Sequence, residues 1–247
     1  MPPFSWGLFF LGAFGAEVIG TMAGFGAATV LTPIAGFFMS MKTAVAVVAC
    51  FHLFGNASRL VFFWRAINWR IVGQFGLPGV LCSIGGAQLA ASMPSQAIRI
   101  LLGAFLLIYA TAEAWRLTAV RIPASRTALR TGGIASGLIA GMIGTGGAIR
   151  SMCLLAFALP KESYLGTSAV IALLVDATRL PVYLTQGFIP HELAWVIAVL
   201  IGVAFCGSWL GQRLVRRVPA DRFKQFVLML LGLMGIKLVL DGLQGVA

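Results

Sequence analysis

His52, Asn56 and Arg59 stand at i, i+4 and i+7, a spacing that puts an imidazole, an amide and a guanidinium on one helix face. A second stretch carries Ser168, Asp176 and Arg179 on the corresponding face, with Ala172 where the histidine would be. Both sets lie inside apolar runs, where polar and ionisable groups are costly and turn toward a protein interior. Two arginines with neutral donors beside them (Asn56, Thr167, Ser168) suit the attraction or gating of an anion. Two plainer roles stay open. Arg59 is near enough to a helix end to reach an interface, and Asp176 and Arg179 can pair at i, i+3. Glu17, His52 and Asp176 are the groups able to carry a proton through such an interior.

The second chemical signal is glycine. GFGAA begins at Gly24 and GMIGTGGAIR at Gly141. A helix broken in an apolar layer exposes unpaired N–H groups at the start of its next segment, and with the helix dipole these form an anion site. Glycine allows positive φ and close backbone approach. Gly24 and Gly26 in the first cluster, and Gly144, Thr145, Gly146 and Gly147 in the second, are the expected ligand-facing breaks. Gly133, Gly137 and Gly141 follow a small-xxx-small spacing and are assigned to close helix packing. Arg150 directly follows the second cluster, with Val30 as its counterpart, and is either a counter-ion for a bound anion or a group near the membrane surface.

Catalytic chemistry finds little support. The chain has two histidines, His52 and His191, no HExxH and no Walker A sequence. Cys50, Cys82, Cys153 and Cys206 lie in apolar segments without metal-site spacing, as small hydrophobes do. No cofactor and no metal is expected.

The elements that must position these residues follow from composition. The chain is 60% hydrophobic and 10% charged, too few charges to cover a soluble domain of its length. Its apolar blocks run at about 4–39, 43–64, 71–92, 96–115, 131–159, 163–186, 193–213 and 222–243, each near or above the length that crosses a bilayer. The net charge of +11 does not indicate nucleic acid, because the basic residues sit in short connections: Arg65 and Arg70; Arg116, Arg121, Arg126 and Arg130; Arg213, Arg216, Arg217, Arg222 and Lys224. That is a positive-inside pattern, with membrane lipid as the natural partner. Tryptophans such as Trp64, Trp69, Trp115 and Trp195 fall near block ends, as an interfacial belt requires. Lys42 and the pair Lys161 and Glu162 fall at turns and are expected in solvent. The oligomeric state is open, a homo-oligomer included.

The chain repeats itself. Sliding it by 120 residues lays GFGAA on GTGGA and NASRL (Asn56 to Leu60) on DATRL (Asp176 to Leu180). Nine of the 41 aligned pairs are identical, concentrated in these two motifs. GAQLAASMP from Gly86 also resembles GQRLVRRVP from Gly211. The expected organisation is residues 1–115 as a first transmembrane repeat, 116–130 as a basic cytoplasmic linker and 131–247 as a second repeat. If both basic connections of the second half are cytoplasmic, an even number of crossings separates them, yet three blocks intervene. Making the first block of each half a re-entrant hairpin removes the conflict. The expected fold is therefore an all-α polytopic membrane protein of two inverted repeats, each a glycine-broken hairpin plus three transmembrane helices. Eight plain spans are the alternative and would leave one basic connection outside.

The duplicated G-x-G in a long first block, the Gly-Thr-Ser at Gly166 to Ser168 and the four-plus-four layout resemble the TauE/SafE family of sulfite-exporter-like membrane proteins. The resemblance implies a multi-pass transporter of the bacterial inner membrane that moves small sulfur-containing or carboxylate anions outward. The first half departs from the pattern, with GFGAA in place of GxGG and Val47-Val48 in place of Thr167-Ser168. The expectation is a secondary transporter exporting a small anion such as sulfite or an organosulfonate, coupled to the proton gradient. A passive anion channel and an accessory membrane subunit are the alternatives, and an intramembrane enzyme is disfavoured.

Overall fold

A computed structural model describes residues 3–23, 26–115, 123–214 and 220–245, and their secondary structure is helical. The helices are α1 (Pro3–Ala23), α2 (Ala28–Ala35), α3 (Met41–Phe63), α4 (Trp69–Ile71), α5 (Leu77–Ser92), α6 (Ser95–Ala114), α7 (Arg126–Ile143), α8 (Gly147–Leu155), α9 (Lys161–Thr185), α10 (Ala194–Leu214) and α11 (Ala220–Leu243). A π-helical turn at Val72–Gly76 joins α4 to α5, so Trp69–Ser92 forms one rod.

Among the described residues, 7 helices are long and apolar enough to cross a membrane. Six of them correspond to the three spans expected in each half, and the seventh is Ser5–Ala23 within α1. Its counterpart α7 is more polar, with Arg126 and Arg130 in its first turns. α7 also starts earlier than the hydropathy boundary at 131. Ser125 accepts a hydrogen bond from the Ala128 N–H at 3.1 Å, and this cap begins the helix inside the basic connection.

Both glycine clusters interrupt helices. Gly144 closes α7 in a left-handed conformation (φ +84°), and its N–H donates to Ala140 O at 3.0 Å. Gly26 has φ +93° just before α2. Gly146, which the 120-residue offset aligns with Gly26, has φ −128° instead. Gly24 lies outside the described residues. In each case the chain doubles back. The rings of Phe9 and Phe38 meet at 5.6 Å on either side of the first turn, and Ser136 in α7 donates to Gly146 O at 2.8 Å across the second.

The principal packing partners come from opposite halves. α1 runs parallel to α10, with Gly207 and Gly211 seated on Glu17 and Thr21. α5 runs parallel to α7, where a Cβ at Gly133, Gly137 or Gly141 would collide with the carbonyl of Phe75, Gly79 or Ser83. These three glycines therefore do the packing assigned to them, allowing the two backbones to touch. α3 lies antiparallel to α9, and α6 antiparallel to α11 through Gly103 and Gly235. First helix thus pairs with third and third with first, while the second and fourth pair with their own counterparts.

The two ends of the bundle are distinct. At one, Trp6 and Trp195 pack edge to face at 5.2 Å, and Arg99 donates to Gly36 O at 3.3 Å beyond α2. Lys42 at this end is not simply in solvent: its Nζ donates to Ala91 O at 2.8 Å and lies 5.4 Å from the centre of the Phe188 ring. At the other end, Gly166 packs against Phe63, and the Asn68 N–H donates to Thr167 Oγ1 at 2.9 Å.

Candidate functional site

The helix breaks meet between these ends. Thr29, in the first turn of α2, and Thr145, in the second break, share a hydrogen bond of 2.7 Å, and Gly144 packs against Thr32 and Val45. The starts of α2 and α8 therefore face a common centre. No side chain caps either start among the described residues. In α8 the first helical bond runs from the Arg150 N–H to Gly146 O, so the preceding N–H groups of Gly147, Ala148 and Ile149 have no intrahelical partner.

α3 and α9 bring the charges to this centre. Arg59 pairs with Glu17 of α1 and donates to Thr21 Oγ1 at 2.8 Å and to Asn56 Oδ1 at 3.3 Å. Thr21 also donates to Glu17, at 3.2 Å. Arg59 is buried and ion-paired, so it does not extend to an interface. Arg179 places two donors on Asp176 Oδ1, at 2.7 and 3.0 Å, and two on the carbonyls of Ala140 and Gly144 at the end of α7. The i, i+3 pairing of Asp176 with Arg179 is therefore present, and the arginine also fastens the second break. His52 spans the two helices, its Nδ1 2.8 Å from Asp176 Oδ2. Asn56 donates to the carbonyl of His52 at 2.8 Å.

Arg150 differs from the other two arginines. Its Nε donates to Ser168 Oγ at 2.9 Å, and it has no carboxylate partner among the described residues although it is 5% exposed. It also sits in the first turn of α8, where the helix dipole disfavours a cation. Thr167, by contrast, is engaged with the backbone of Asn68 and stands away from this cluster. No metal-binding group of three or more His, Cys, Asp or Glu occurs among the described residues. Cys206 is exposed on α10, whereas Cys50 and Cys153 are buried.

Several members of the cluster carried no weight in the sequence. Tyr183 donates to Gly141 O and lies under the Arg179 guanidinium; it stands four residues after Arg179, on the same face. Thr21 bears the same relation to Glu17. Thr29 and Ser136 offered no such cue, because hydroxyl residues in apolar helices usually bond to their own backbone.

Helices of membrane-crossing length around a buried, charge-bearing centre define a multi-pass membrane protein. A model of the family described as sulfite exporter TauE/SafE matches residues 8–238. The chain belongs to that family, whose members are membrane transporters and not enzymes. Comparisons with curated proteins and with solved structures gave no match.

Proposed function

We propose that this chain is a secondary transporter of the bacterial inner membrane that exports a small oxyanion of the sulfite or organosulfonate class and is coupled to the proton gradient. One observation carries the reading. Among the described residues, three guanidiniums (Arg59, Arg150, Arg179) and two carboxylates (Glu17, Asp176) are buried around the centre, which leaves one positive charge with His52 neutral. An unpaired charge in a low-dielectric interior is expensive, and an anion between Arg150 and the α8 start offsets it. Its oxygens would accept from the Arg150 guanidinium, from the N–H groups of Gly147 and Ala148, and from Thr145 and Ser168. Gly26, at the opposite break, lets the His52 ring approach the backbone, since a Cβ there would stand 2.5 Å from Nε2. Asn56, Arg59, Asp176 and Arg179 hold the surrounding frame.

Alternating access suits this arrangement. Antiparallel packing of α3 on α9 and α6 on α11 fits a two-fold axis in the membrane plane, and the doubled-back glycine breaks fit re-entrant hairpins facing a cavity. Flux through proteoliposomes, with sulfite and methanesulfonate and with or without a proton gradient, tests the reading. Saturable flux that the gradient speeds from its acid side and slows from the other is expected. Non-saturating conductance would return the passive channel, and no flux would return the accessory subunit.

A further inference from the structure

His52 is held at one nitrogen only. Its Nδ1 faces Asp176 Oδ2 at 2.8 Å, while its Nε2 is buried with no hydrogen-bond partner. That atom lies against the first break: a Cβ on Gly26 would stand 2.5 Å from it. With the carboxylate of Asp176 as acceptor, Nδ1 carries the hydrogen, so Nε2 in the neutral ring presents a bare lone pair. An unsatisfied acceptor is a tolerable cost in this position. Protonation changes that, because the imidazolium would hold a charged N–H donor against Gly26 with nothing to receive it, and a buried charged donor without an acceptor is costly.

The charges around His52 do not supply an acceptor. Asp176 and Arg179 reach it from α9 already paired to each other, and Glu17 of α1 is paired through Oε1 with Arg59, while its Oε2, buried without a partner, makes no hydrogen bond to Nε2. Arg150 of α8 adds positive charge, and Cys50 on α3 is buried. α2 and the buried face of α10 bring no ionisable side chain. An incoming anion is the missing acceptor. Resting on the anion-carrier reading above, we infer that His52 Nε2 is the site at which one proton is bound together with each anion. The proton comes from water on the side where the anion enters, and it leaves when the anion leaves. Protonation of His52 raises the net charge of the centre from one to two, which a dianion cancels and a monoanion halves; either way one proton crosses with one anion.

Calorimetric titration of the purified full chain, in two buffers of different ionisation enthalpy, reads the protons taken up per anion bound. Methanesulfonate is the decisive probe because it is the anion of a strong acid and has no proton of its own to lose. At about pH 7.5 the wild type is expected to take up about one proton per methanesulfonate. Its affinity is expected to fall about tenfold for each further pH unit. His52→Gln, which keeps an N–H donor without titrating, is expected to bind with no uptake and a flat pH profile. Wild-type binding without proton uptake, or uptake that persists in His52→Gln, overturns the assignment while leaving the carrier reading intact. If neither sulfite nor methanesulfonate binds to the wild type, both fall. The wild-type pH profile decides the point by itself should the variant not fold.

Discussion

Arg59 and Arg179 occupy the same position in the two repeats but draw their countercharge from different places. Position 17 is glutamate in the first half and Gly137 in the second, whereas position 176 is aspartate opposite Asn56. Each arginine therefore keeps one carboxylate, supplied by α1 in one half and by its own helix in the other. Removing such a partner strands a buried cation, so Glu17→Gln is expected to destabilise the protein by about 3–5 kcal/mol, read as a lower thermal midpoint in detergent. Arg150→Gln should do the opposite. It has no carboxylate to strand, so the midpoint should hold or rise while anion affinity falls about 10- to 100-fold for want of a charge-assisted bond. Loss of stability in Arg150→Gln would show instead that this arginine serves the fold. The spacing of His52, Asn56 and Arg59 made their shared face legible. It could not show that Asp176 would join His52, because that contact crosses 124 residues and depends on how two helices dock. Thr167 looked equivalent to Ser168 as a neighbouring hydroxyl, yet adjacent helical residues point about 100° apart, and only Ser168 turns to Arg150.

Glycine has two separate duties in these helices. Along α7 it is a packing surface, and at Gly144 it is a turn. Gly137→Ala would push a methyl group into Gly79 O, and the cost of forcing α5 away is expected to be about 1–3 kcal/mol. Gly202→Ala meets open space on α10 and should change stability by less than about 0.5 kcal/mol, a control for helix propensity. Equal melting of the two variants would remove close packing as the reason for the α7 series. The small-xxx-small spacing revealed the packing glycines directly. The turn glycines were legible as clusters but not individually: the repeat alignment favoured equal roles at equal offsets, while the backbone puts positive φ at Gly26 and Gly144. Short helices after the breaks were beyond hydropathy, since α2 and α8 sit inside long apolar runs that give no boundary.

Across the whole molecule, contacts sort the chain into two ends. Lys42, Ala91 and Phe188 gather at one, and Phe63, Asn68 and Gly166 at the other. If the basic connections face the cytoplasm, Gln186 lies outside and Arg126 inside, and both are exposed. Single cysteines at these positions, in a chain with its four cysteines replaced, should react with an impermeant thiol reagent at 186 in intact cells and at 126 only after lysis. Labelling of both from outside would defeat the arrangement. Charge counting supplied this layout because the Lys and Arg bias of loops is a property of sequence. It could not foresee Arg99, which looks misplaced in an apolar block until Gly36 O is seen beside it.

The cross-pairing of helices also bears on how the protein is made. During synthesis the first half emerges without α7 to cover α5, without α10 to cover α1 and without α9 to receive His52. Its charged and small-residue faces must wait, in the bilayer or with an insertion factor, until the second half arrives. Two chains cut within the central connection should each be degraded when produced alone and should rescue one another when produced together.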